Sequence, residues 1–202
     1  LHIHTRRYSP CAELLNPDCL PELLQRRRLE GAVLTEHDVL WSAAELAALN
    51  VIHAGVRIYR GMEVSSCNGH FVVIGLTDTA GIRPGITIHA LVERAAAQQA
   101  AVICVHPYRS YQNTLKPLPM EALPAGIHAV EVVSSVTRGN DSQKARALAT
   151  RLGLRMVGGS DAHAPHQVGC AWTIFEEMPA DEQHLAALIR SGRCRAGASA
   201  PP

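Results

Sequence analysis

Long apolar runs are missing from this 202-residue chain. No stretch approaches the roughly 18 residues of a membrane-crossing helix, and no charged-then-apolar signal segment opens it. Membrane insertion is therefore not expected, although the chain begins at Leu1 rather than Met and its native start stays open. An excess of one charge is also missing. Nineteen Lys and Arg against 18 Asp and Glu give a net charge of +1, which disfavours long nucleic acid as a partner. The one compact basic run, Arg26 to Arg28, ends a helix-like stretch, where cations suit the C-terminal end of the helix dipole. Paired cysteines are missing too. Cys11, Cys19, Cys67, Cys104, Cys170 and Cys194 are scattered without a CxxC, so neither a zinc ribbon nor a secreted disulfide framework is indicated. That usage predicts a reducing, cytoplasmic setting. No repeat or domain linker interrupts the chain, which predicts a single domain over 1–196 and a frayed, disordered tail over 197–202.

Within this frame, short β-rich apolar runs alternate with stretches of helical period, the pattern of parallel βαβ units. Strands are predicted at Leu1 to His4, Gly31 to Thr35, Val56 to Met62, Phe71 to Leu76, Ala101 to Val105, Ala129 to Val133, Arg155 to Gly158 and Cys170 to Ile174. Helices are predicted at Asp18 to Leu29, Trp41 to Leu49, Ile88 to Gln99, Asp141 to Leu152 and Asp181 to Arg190. Two places break the alternation. Glu63 to Leu76 reads as two strands around a Ser-Ser-Cys-Asn-Gly turn, and Tyr108 to Pro124 reads as a long proline-bearing loop. Such a count fits either an open doubly wound sheet or a small closed barrel.

The histidines and acids fall at particular places on this scaffold. His2 and His4 share one face of the first strand, because side chains alternate with period 2. His37 follows the second strand in TEHD, Glu63 ends the third in GMEV, and His70 begins the next in GHFVVIG. His106 ends a further strand in VHPYR, and Asp161 and His163 stand in GSDAH. Chemistry in barrel folds collects at the C-terminal ends of strands. Imidazole with carboxylate suits zinc, manganese or iron, and a carboxylate with two oxygens can bridge two ions. Taken singly, each residue has an ordinary reading: a chance HxH, a surface histidine, a turn aspartate. Taken together, six of the eleven histidines and two acids at successive strand ends predict a metal cluster.

HIHT, TEHD, GMEV, GHFVVIG, VHPYR and GSDAH, in this order, resemble the motifs of the PHP (polymerase and histidinol phosphatase) superfamily of metal-dependent phosphoesterases, in its small stand-alone form. The resemblance runs from Leu1 to about His163. It implies an α/β fold, a distorted TIM-like (β/α)7 barrel, with two to three divalent ions (Zn, Mn or Fe) at its mouth. Carried over residue by residue, His2, His4, Glu63 and Asp161 would hold the first ion. Glu63 would bridge to a second, held also by His106 and His70, and His37 and His163 would hold a third. This sequence departs from the pattern at three further points. Glu36 replaces the commoner Asp, His70 lies two residues early on its strand, and Glu13 is the substitute for a ligand expected soon after His4.

The implied reaction is hydrolysis of a small phosphomonoester or phosphodiester by metal-activated water, with no nucleophilic side chain. Arg109, three residues after His106, is the best candidate to bind phosphate, because guanidinium grips its oxygens bidentately; Arg6 and Arg7 are weaker ones. Two other readings compete. One is a non-catalytic, metal-bearing PHP module. The other is an amidohydrolase-like barrel, against which the places of Lys116 and Lys144 argue. No sequence signal bears on the oligomeric state.

Overall fold

The computed structural model describes residues 1–52, 55–109 and 123–198. A six-stranded sheet runs in sequence order: β1 (Gly31–Leu34), β2 (Arg57–Ser66), β3 (Gly69–Ile74), β4 (Ala101–Cys104), β5 (Ala129–Val133) and β6 (Arg155–Gly158). β1 pairs with β2, β4 with β5 and β5 with β6 in parallel. β3 is antiparallel to both neighbours, because the Cys67-Asn68 turn folds β2 back on itself as the hairpin signal predicts.

Alternation along these strands sorts the side chains. Val33, Tyr59, Val72, Ile103, Ala129 and Val157 pack on one face. By the same parity Glu63, His70 and Glu131 belong to that face. Helix α5 (Glu182–Ser191) buries Leu185 and Ile189 against it, at the end where β2 and β4 begin. There the Gln183 amide donates to the Gly75 and Gln98 carbonyls. The ligand candidates are left at the opposite end. On the outer face, Leu91 and Ala95 of α3 (Ile88–Ala97) cover Met62, Phe71 and Val102, and α4 (Asp141–Leu152) covers Val130 and Val132. Helix α1 (Leu20–Arg26) packs Leu20 and Leu24 beside β1. It is shorter than predicted because a 3-10 turn (Pro17–Cys19) precedes it and Arg28 turns left-handed at φ 57°.

The α/β architecture expected of a distorted (β/α)7 barrel is present, but its sheet is six-stranded, curled and open rather than a full barrel. Leu1 to His4 does not form a full strand. Ile3 makes a single bridge to Leu34 on one side and to Ala162 on the other. The Thr35 N–H donates to the Ile3 carbonyl at 2.8 Å and the His4 N–H to the Ala162 carbonyl at 3.0 Å, so this segment joins the two edges. The last strands, β7 (Ala171–Phe175) and β8 (Cys194–Ala198), form a separate antiparallel pair. Gly197 and Ala198 therefore pair with Trp172 and Ala171 rather than fray. Trp172 explains why: a Cβ at Gly197 would stand 2.3 Å from its indole nitrogen, so the ring lies flush on a backbone that only glycine provides. The remaining tail residues, 199–202, and most of the predicted Tyr108 to Pro124 loop lie outside the described residues.

Candidate metal centre

Five histidines converge on Glu63. Its Oε2 lies 3.0 Å from His4 Nε2, 3.0 Å from His37 Nδ1 and 3.4 Å from His2 Nε2. Its Oε1 lies 3.0 Å from His70 Nδ1 and 3.1 Å from His106 Nε2. One carboxylate thus faces two sets of imidazoles with different oxygens, as a bridging ligand does. Asp161 Oδ1 stands 3.4 Å from both His2 Nε2 and His4 Nε2 and 3.6 Å from His163 Nδ1. The early position of His70 costs it nothing, because the shift keeps its face.

Whether these residues suit a cation can be judged from their buried polar atoms. His2 Nε2, His4 Nε2, Glu63 Oε2 and Asp161 Oδ1 are buried without a hydrogen-bond partner. Leaving such atoms unsatisfied costs about 1–3 kcal/mol each, more for charged groups, so this donor set fits a bound cation. Four groups of three ligand atoms lie within 4.8 Å: His2, His4 and Asp161; His2, Glu63 and His106; His37, Glu63 and His70; His4, His37 and His163. Nitrogen and carboxylate oxygen without thiolate suits a catalytic rather than a structural site.

The electrostatics follow from this crowding. Burial pushes the Glu63 carboxyl up, but His2, His106 and His37 outweigh it and hold the acid well below its usual range. For Asp161 burial is likewise overcome by His2 and His4, and the carboxyl is held down. Burial pulls His2 down, and Glu131, Asp161 and Glu63 more than reverse it. His163, by contrast, is lowered by burial and by His4, which favours the neutral form that ligates metals.

The backbone is bent to make this arrangement. His2, His106 and Asp161 hold φ values of 64°, 30° and 46°, conformations that cost non-glycine residues of order 1–3 kcal/mol each. Buried acids brace the segments around these residues. Glu36 accepts hydrogen bonds from the Thr5 N–H (3.0 Å), the Ser9 hydroxyl (2.5 Å) and the Trp41 indole (3.1 Å), tying down the loop after the first histidines. Glu131 accepts from His2 Nδ1 at 2.9 Å and from the His106 N–H at 3.1 Å. Sequence reasoning passed over Glu131 and Ser9. The signal for Glu131 was present: it is the one charge in the apolar run AVEVV.

Of the predicted phosphate-binding residues, only Arg109 joins the site. Its Nη1 donates to Asp161 Oδ2 at 3.2 Å. Arg7 pairs with Glu45 at 3.0 Å instead. Arg6 is exposed, and among the described residues no hydrogen bond or ion pair ties its side chain to the cluster. Glu13 is corrected as well, being exposed at the end of a 3-10 turn and part of none of the ligand groups.

Comparisons with known proteins bear on the family and on the fold. A family model described as PHP-associated matches residues 139–194, which include Asp161 and His163. An uncharacterized protein of Methanocaldococcus jannaschii is 27% identical over 183 residues, covering 88% of this chain and 70% of that protein. Among solved structures, PsfC from Pseudomonas syringae superposes with a TM-score of 0.71 at 19% identity, over 99% of this chain and 90% of its own. A two-domain Bacteroides vulgatus protein containing a predicted PHP-like metal-dependent phosphoesterase gives 0.71 at 22%, over 97% of this chain and 63% of its own. An amidohydrolase from Chromobacterium violaceum with bound sulfate gives 0.64 at 19%, over 81% of this chain and 87% of its own. At these identities the structural likenesses speak for the fold.

Proposed function

We propose that this chain is a PHP superfamily protein, a metal-dependent phosphoesterase acting on a small phosphorylated substrate. The observation that carries the reading is Glu63, buried between two sets of imidazoles with one oxygen toward each. In this reading His2, His4, Glu63 and Asp161 hold a first ion, Glu63, His106 and His70 a second, and His37 and His163 a third. Divalent ions so held, whether zinc, manganese or iron, would supply Lewis acidity to a phosphate oxygen and to the attacking water.

The chain's own residues do the rest. Arg109 spends one N–H on Asp161 and keeps its remaining donors for phosphate oxygens, a fixed fork beside the ligand cluster. The imidazoles of His37, His70 and His163 are partly exposed, with side chains 31%, 20% and 22% accessible, so the cluster opens to solvent on that side. A cytoplasmic location belongs to the same proposal, on the scattered cysteines.

The test is turnover of p-nitrophenyl phosphate and of a bis(p-nitrophenyl) diester with manganese, zinc or iron, with and without chelator. Chelator-sensitive hydrolysis of either supports the reading. No turnover of either favours the non-catalytic module. Because one structural neighbour is an amidohydrolase, an amide substrate belongs in the same screen, and chelator-sensitive cleavage of it alone would replace an ester with a C–N bond.

A further inference from the structure

We propose that Glu131 is a positioning residue for this centre, one buried carboxylate that sets the ring of His2 and the backbone of His106 together. The proposal rests on the metal-binding reading above. Glu131 lies in β5 on the interior face and is only 3% exposed. A bulge follows it: Glu131 pairs with Val157 and Val133 with Gly158, which leaves Val132 as an extra residue. Bulges next to functional sites re-aim side chains, and here the strand is bent just where the carboxylate must reach two other strands' ends.

Its two oxygens have separate duties. Oε1 accepts from His2 Nδ1 at 2.9 Å. With the proton held on Nδ1, the lone pair of His2 is confined to Nε2, the atom that stands 3.4 Å from Glu63 and from Asp161. Oε2 accepts the His106 N–H at 3.1 Å, in a residue whose φ of 30° needs outside support. The first-motif histidine and the VHPYR histidine are thus indexed to a single group. Gly159 leaves room for it: a Cβ there would lie 2.3 Å from Glu131 Oε1 and 2.7 Å from the Cβ of His2. Two consecutive glycines in GGSDAH therefore have a local use, since Gly158 is packed against the Trp172 carbonyl in the same way.

Glutamine is the discriminating replacement. It keeps the shape of Glu131 but has one acceptor oxygen where two donors must be met, so either His2 or His106 loses its partner. The experiment measures zinc affinity of wild type and Glu131→Gln by chelator competition, together with the 15N resonances of His2 in the zinc-loaded wild type. The expected result is a proton on Nδ1 of His2 and a loss of about 10–100-fold in affinity for the variant, with unchanged circular dichroism. Equal affinity in wild type and variant overturns the positioning role and leaves the metal reading standing. So does a His2 proton found on Nε2, which needs no variant and holds even if Glu131→Gln fails to fold. Wild type that takes up no zinc, manganese or iron overturns the metal reading and this proposal with it.

Discussion

At the scale of single residues, the centre is organised by carboxylates more than by histidines. Each imidazole offers one lone pair, whereas Glu63 reaches five imidazoles with two oxygens. Replacing it with Gln should therefore remove more metal than any single His→Ala change. Metal analysis of Glu63→Gln is expected to show at least one ion fewer per chain, an outcome sunk by wild-type stoichiometry. Arg109→Ala should leave metal content unchanged, because the guanidinium donates to Asp161 Oδ2 whereas Oδ1 is the oxygen that faces the histidines. It should lower kcat/KM for phosphate esters by about tenfold or more, as expected for a lost charge-assisted bond of about 1.5–3 kcal/mol. Thiols divide as sharply. Burial pushes Cys104 up to about 12, while Cys11, Cys19 and Cys67 are exposed. A disulfide reagent at neutral pH should modify those three first and reach Cys104 only on unfolding.

At the scale of elements, the loop after the first histidines is fastened to α2 (Ala43–Ile52) through that helix's start. The Ser42 hydroxyl accepts the Glu45 N–H at 3.2 Å, and the Glu45 carboxylate accepts the Ser42 N–H at 3.2 Å, a reciprocal capping box. Glu45 also accepts from the Tyr8 hydroxyl at 2.5 Å and from Arg7 at 3.0 Å. Ser42→Ala should cost about 1 kcal/mol in chemical denaturation. The Tyr8 hydroxyl, Ser42 and Arg7 hold the Glu45 carboxyl down from 4.5 to about 2. The folded state therefore binds this proton less readily than the unfolded chain. Its contribution is complete above about pH 4.5 and is lost as pH falls toward about 2. Glu45→Gln should flatten the pH dependence of stability over that interval; an unaltered slope would show that the interaction is carried elsewhere.

At the scale of the whole molecule, the segment Leu1 to His4 links the sheet's two edges, with Ile3 bridging to both Leu34 and Ala162, and the groups on either side of it, His2 and His4, converge with Glu63 and Asp161. Ions bound there cross-link the first rung, β2 and the segment after β6, so loading should stabilise the fold as a unit. A metal at about 100 times its Kd contributes about 2.7 kcal/mol. For a domain of this size that is a rise of roughly 5–10 °C in Tm, read by differential scanning with and without chelator. A Tm indifferent to every divalent ion would disconnect the cluster from the fold.

The order of residues sufficed for the strand-helix alternation and for the cluster's membership. β5, β6 and α4 have the predicted bounds, because local period and caps such as Gly153 set them. His2, His4, His37, Glu63, His70, His106, Asp161 and His163 all meet, since position at a strand end is a local property that topology then gathers. Other features depended on contacts between distant segments. Glu13, Arg6 and Arg7 are candidates by nearness in sequence, and a loop's direction is not encoded there; Arg7 pairs with Glu45. Glu131 was passed over because its partners lie 129 and 25 residues away. The strand of Cys194 to Ala198 was illegible for the same reason, and the choice between an open sheet and a closed barrel stayed open in the sequence. A short Ala-Gly run has no strand preference of its own, and it pairs because Trp172 lies against its glycine. Local chemistry is written along the chain, whereas closure of a sheet and the aim of a side chain are settled by what packs against them.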